Sequence, residues 1–145
     1  MKLKELFKKT EQRNTCSAVI VAAGSSQRMG ADKVMLELGC MPVLARTLLA
    51  FQNCDAIDEI IVVTRMEKVE EVASLCKKYG VTKVGKVIRG GKTRMESALA
   101  GVSEARSGAK LIAIHDGARP FVTDEVIHRT VDAAAAYMSA VPVIY

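Results

Sequence analysis

Three polar clusters hold the residues whose types and spacing could do chemistry. The first runs Ala22-Ala23-Gly24-Ser25-Ser26-Gln27-Arg28-Met29-Gly30-Ala31-Asp32-Lys33. Small residues let backbone N–H groups close on a polyphosphate, and Arg28 and Lys33 supply positive charge. The segment matches neither GxGxxG nor GxxxxGK[ST], which removes the standard dinucleotide fingerprint and the kinase P-loop. The plain alternative is a strand-to-helix loop with two solvated cations. The second cluster is Arg89-Gly90-Gly91-Lys92-Thr93-Arg94-Met95-Glu96-Ser97. Its glycine pair permits a tight turn and close backbone approach to a flat ligand such as a base. Ser97, one turn into the following helix, can reach a base edge; the alternative is a turn leading into a capped helix. The third is His115-Asp116-Gly117-Ala118-Arg119-Pro120. Asp116 is placed to hold Mg²⁺ near phosphates, and Arg119 could clamp a phosphate bidentately. The alternative is an Asp–Arg structural pair across a turn. His115 reads as a packed, hydrogen-bonded residue rather than a base, and His128 as a surface residue on a helix.

These clusters need elements to position them, and the hydrophobic pattern provides those elements. The continuous apolar run 18–23 predicts a strand buried on both faces, as do 59–64 and 111–114. A shorter strand is expected over 84–88. Between them, helices are predicted over 43–51, opened by Pro42, over 67–79, closed by Gly80, and over 94–106. In the last of these, Ala98, Leu99, Val102 and Ala105 are expected to face inward. Thr123 is a candidate N-cap for a helix reaching about Met138, with Asp124 and Glu125 favoured by the helix dipole in its first turn. A further strand is expected from Ala140 to Ile144. Strands alternating with helices predict a three-layer α/β domain with a mostly parallel sheet. Ligands bind such folds at the carboxyl ends of the strands, where all three clusters fall.

Composition narrows the function. The 145 residues are 50% hydrophobic and 26% charged, which suits one globular domain rather than a disordered chain. Aromatics make up 4% with no Trp, so a stacking platform for single-stranded nucleic acid is not expected. Of the formal net charge of +5, residues 1–15 hold a surplus of three, leaving a body that is hardly basic, and no nucleic-acid partner is predicted. No apolar run reaches the ~20 residues of a membrane span, and no signal peptide is read at the start. The basic segment 1–15 is expected to include a short amphipathic helix over 2–13, with the domain proper over 16–145. Cys16, Cys40, Cys54 and Cys76 form no CxxC pair or metal-ligand spacing and read as reduced, buried thiols of a cytoplasmic protein.

In order and spacing, "AAGSSQRMG-DK", "GGKTRMES" and "HDGARPFVT" resemble the 2-C-methyl-D-erythritol 4-phosphate cytidylyltransferases of non-mevalonate isoprenoid synthesis, over Ser17 to about Val143. The resemblance implies a Rossmann-like nucleotidyltransferase domain that transfers CMP from CTP to 2-C-methyl-D-erythritol 4-phosphate, depends on Mg²⁺, works in the cytoplasm and pairs as a homodimer. It implies that Ala22, Ala23 and Gly24 line the nucleotide, while Arg28 and Lys33 hold the triphosphate as catalytic cations. Gly91, Lys92, Arg94 and Ser97 would surround the cytosine. Asp116 would serve ribose, metal or sugar phosphate, and Gly117 and Arg119 the acceptor. The chain departs from the family in three places. Ser25-Ser26-Gln27 stands where a second Gly is frequent, the segment before Lys33 is shorter and lacks a usual Pro, and Lys92 replaces a common acid. Family members also continue well past residue 145, so the chain is expected to be truncated relative to them. The rival expectations are a cytidylyltransferase for another polyol phosphate, such as ribitol 5-phosphate, and a catalytically incomplete nucleotide-binding fragment.

Overall fold

Strand β1 (Cys16–Ala22) is seven residues long and buried throughout. Such a strand needs a partner along each edge and a layer over each face. In the computed structural model, which describes residues 14–24 and 32–143, it has all four. The expected helix over 2–13 and the tip of the first cluster, Arg28 included, lie outside the described residues, as do the last two positions. β1 pairs in parallel with β2 (Glu59–Thr64) on one side and β4 (Leu111–Asp116) on the other. β3 (Val84–Arg89) pairs in parallel with β2, giving the order β3-β2-β1-β4.

Alternation along β1 divides the core in two. Ala18 and Ile20 face a layer made by α1 (Val43–Asn53), α2 (Val69–Lys78) and α4 (Asp124–Tyr137), packing with Leu44, Leu48, Val72 and Ile127. Val19 and Val21 join Ile61 and Val63 on the opposite face, under α3 (Arg94–Ser103). The sequence of crossovers explains this. The chain steps outward from β1 to β3, then returns past β1 to β4. A reversal of direction at constant crossover hand puts the returning helix on the other face. Gly101 lets α3 come close: a Cβ there would lie 2.3 Å from Val19 Cγ1.

Helix ends follow the expected chemistry. Pro42 precedes α1, Gly80 takes φ +67° just beyond α2, and the Thr123 hydroxyl accepts from the Val126 N–H to cap α4. α2 is led in by a 3₁₀ turn over Met66–Lys68, and α3 stops three residues before the expected 106.

Four expectations fail for physical reasons. The 111–114 strand is not buried on both faces. Ile112 and Ile114 are exposed because β4 is an edge strand and α3 sits over β1 and β2 instead. Leu99 is 64% exposed rather than inward, because Ser97 and Gly101 occupy the inner line of α3 and residue 99 falls nearly opposite them. Residues 140–143 form no strand, since none of the described residues pairs with them. Cys40 is exposed, in the bend leading to Pro42, whereas Cys16, Cys54 and Cys76 are buried as expected.

Candidate nucleotide site

The chain leaves β1 over one face of the sheet and enters the edge strand β4 from the other, and these two neighbouring strands release their loops side by side. Val21 pairs with Asp116. Immediately beyond, the Gly117 N–H donates to the Val21 carbonyl at 2.8 Å, and the Thr47 hydroxyl donates to the Gly117 carbonyl at 2.9 Å. A Cβ on Gly117 would sit 3.0 Å from both Ala22 Cβ and Leu44 Cδ1. The first and third clusters are therefore welded at the topological switch point, the crevice where open α/β sheets take ligands. Gly117 itself is buried, with both backbone groups occupied.

The second cluster reaches the same place from β3. The Gly90 N–H donates to the Thr64 carbonyl at 2.7 Å, carrying the turn across the end of β2. A Cβ on Gly90 would lie 2.5 Å from Ser97 Oγ and 2.6 Å from Ala23 Cβ. The turn thus presses on the end of β1, and only glycine fits there. The Gly91 N–H donates to Ser97 Oγ at 3.1 Å, and that hydroxyl donates to the Thr93 carbonyl at 2.9 Å. Ser97 is 2% exposed, so it braces the turn from beneath. The Glu96 carboxylate accepts from the Lys92 N–H at 2.6 Å, and Thr93 and Glu96 close a reciprocal capping box on α3. The turn leading into a capped helix, the plain alternative, is what the structure shows.

Charge gathers around one carboxylate. Arg94, the first residue of α3, donates to Asp116 Oδ1 from Nε at 3.1 Å and from Nη2 at 2.8 Å. Arg119 Nε lies 3.3 Å from Asp116 Oδ2. Both arginines are well exposed, whereas Asp116 is only a quarter exposed. Two guanidinium groups on one carboxylate leave a surplus positive charge, with the exposed Lys92 on the same turn. Exposed ion pairs of this kind contribute about 0–1 kcal/mol, so either arginine can exchange its partner for a phosphate at small cost. His115 is packed, as expected: burial holds its imidazole below the usual histidine range, and its ring lies 5.0 Å from that of Phe51. Its Nδ1 has no hydrogen-bond partner among the described residues.

Two features escaped the sequence reading. The end of β2 carries none of the three clusters, yet the Thr64 carbonyl anchors Gly90, and Arg65 Nη2 pairs with Asp32 Oδ2 at 2.5 Å, tying the first cluster to β2 just before Lys33. A cation directly following a buried strand was the available signal. His128 is not a bare surface residue: its Nε2 lies 2.8 Å from Asp55 Oδ1, on the segment after α1. Sequence spacing cannot show a contact between elements so far apart.

Comparison with known proteins gives consistent results. Residues 16–145 match the family model of IspD, 2-C-methyl-D-erythritol 4-phosphate cytidylyltransferase. The enzyme of that name from Halalkalibacterium halodurans is 43% identical over 132 residues, covering 88% of this chain and 58% of the relative. The one from Clostridium botulinum (strain Langeland) is 37% identical, covering 86% and 55%. The crystal structure of 4-diphosphocytidyl-2C-methyl-D-erythritol synthase from Anaerococcus prevotii superposes with a TM-score of 0.71 at 33% identity, over 83% of this chain and 50% of that one. The chain thus spans a little over half the length of the curated relatives it matches.

Proposed function

The chain belongs to the 2-C-methyl-D-erythritol 4-phosphate cytidylyltransferase family, and from that membership we propose that it carries the nucleotide half of a cytidylyl transfer. In this reaction a phosphate oxygen of 2-C-methyl-D-erythritol 4-phosphate attacks the α-phosphorus of CTP. A new P–O bond forms as the bond to the β-phosphate oxygen breaks. Pyrophosphate leaves, and 4-diphosphocytidyl-2-C-methyl-D-erythritol remains. The attacking oxygen is already anionic, so the chain needs no general base. Its work is positioning and charge stabilisation.

The observation that carries this reading is the convergence of the Gly90–Gly91 turn, the end of β1 and the Arg94–Asp116–Arg119 cluster at one switch point. Ala22, Ala23 and Gly24 line the nucleotide. The Gly91–Lys92 backbone and Arg94 surround the cytosine edge, with Ser97 fixing the turn. Arg28 and Lys33 hold the triphosphate. Arg119 approaches the acceptor phosphate, and the buried Gly117 fixes the loop that carries it. A divalent ion fits this arrangement. Mg²⁺ is usually held by one or two carboxylates plus substrate phosphates, and Asp116 offers one carboxylate whose arginine partners can turn to phosphates. Mg²⁺ bound there would neutralise phosphate charge. The homodimer, the cytoplasmic location and the absence of membrane or nucleic-acid partners are part of the same proposal; no helix among the described residues is long and apolar enough to cross a membrane.

Incubating the chain with CTP, 2-C-methyl-D-erythritol 4-phosphate and Mg²⁺ tests this reading by release of pyrophosphate. The expected result is release that depends on both substrates. Release that is equal with ribitol 5-phosphate would contradict the assigned acceptor.

A further inference from the structure

A second cluster of ligand-type side chains lies at the far end of α1, about 10 Å along the helix from Thr47, which braces Gly117. Cys54 follows the last residue of α1, and Asp124 and His128 stand one turn apart on α4. The thiol sulfur, one carboxylate oxygen and one imidazole nitrogen all lie within 4.8 Å of one another. Asp55 Oδ1 is 2.8 Å from His128 Nε2, and Asp124 Oδ1 is 3.7 Å from the same nitrogen. We propose that Cys54, Asp124 and His128 bind a zinc-class divalent ion, with Asp55 beside the fourth coordination position.

The donor set selects the ion. A thiolate and an imidazole favour Zn²⁺ over Mg²⁺, which prefers oxygen alone. This site is therefore chemically distinct from the carboxylate–phosphate site at the strand ends. A tetrahedral zinc places its ligand atoms about 3.3–3.8 Å apart, so small side-chain rotations close the cluster. The backbone beneath it is set. The Cys54 carbonyl accepts from Lys83 Nζ at 2.7 Å and from the Ile57 N–H at 3.2 Å, while Ile127, between the two α4 ligands, is buried in the core. The start of a helix disfavours a cation slightly, but a thiolate and two carboxylates outweigh that dipole.

Without metal, Cys54 keeps its proton: burial and the hydrogen bond with Asp124 push the thiol up to about 11. Entry of the ion replaces S–H by S–metal and releases that proton to solvent, so affinity rises with pH.

Titration of the reduced, full chain with Co²⁺ alone, followed by Zn²⁺ displacement, tests the proposal. One equivalent of Co²⁺ is expected to give a thiolate-to-cobalt charge-transfer absorption that Zn²⁺ abolishes. Cys54→Ser should remove the absorption, His128→Ala should weaken binding at least tenfold, and Cys40→Ser should change neither. His128 is partly exposed, so its variant decides the matter even where Cys54→Ser folds poorly. No charge-transfer absorption in the unaltered chain would overturn the proposal, as would unchanged affinity in His128→Ala.

Discussion

Arg94 Nη2 lies 2.8 Å from Asp116 Oδ1, joining the first residue of α3 to the last residue of β4 across 22 positions of chain. The pair does little for the fold, because Arg94 is 64% exposed and water competes for both groups. In the proposed function its value lies in keeping a guanidinium at the ends of β1 and β4, where it would exchange a carboxylate for a phosphate or a base edge.

Replacing Arg94 by Gln should therefore separate binding from stability. Loss of charge-assisted hydrogen bonds, about 1.5–3 kcal/mol, predicts CTP binding weaker by roughly ten- to a hundredfold. The melting temperature should hardly move. A calorimetric Kd within twofold of the unaltered chain would remove Arg94 from the nucleotide site.

Gly90→Ala probes the turn. The added methyl would meet Ser97 Oγ at 2.5 Å and Ala23 Cβ at 2.6 Å, so the turn must lift from the end of β1. Overpacking of this kind costs about 1–3 kcal/mol. Thermal melting should fall, and CTP affinity should fall with it because Ala23 lines the proposed nucleotide wall. A variant with unchanged melting and affinity would mean that the turn is not held there.

Much of this arrangement was legible in the residues. The apolar runs over 18–23 and 59–64 could only be strands covered on both faces, and Thr123 announced its helix. The three clusters had to meet because parallel strands send their carboxyl ends to one side. What stayed hidden depends on which strand is at the edge and which helix covers it. Ile112 and Ile114 are as apolar as Ile61 and Val63, yet no helix among the described residues lies over them. The pairs Arg94–Asp116, Arg65–Asp32 and His128–Asp55 join separate elements, and local periodicity holds no information about them.

Acid stability should report on Glu59. Burial works against its charge, but the Ser17 hydroxyl at 2.7 Å and the Arg106 N–H at 3.1 Å hold its carboxyl below the usual range. A carboxyl depressed in the folded state stabilises above its unfolded pKa, about 4.3 for Glu, and loses that contribution as pH falls through the folded value. Melting temperature measured downward from pH 6 should drop more steeply for the unaltered chain than for Glu59→Gln. Parallel curves would show that this network is not the acid-sensitive element.

Arg28→Ala addresses the chemical step. Removing one preorganised charge donor from a developing oxyanion costs about 10²–10³ in kcat. Pyrophosphate release should fall by that order while CTP still binds. Unchanged turnover would take Arg28 out of the mechanism.

The central claim is that the switch-point crevice selects a cytosine nucleotide. Calorimetric titration of the chain with CTP and then ATP, each with Mg²⁺, tests it most directly. CTP binding well above ATP is the predicted result; ATP binding as tightly as CTP, or neither binding, would contradict it.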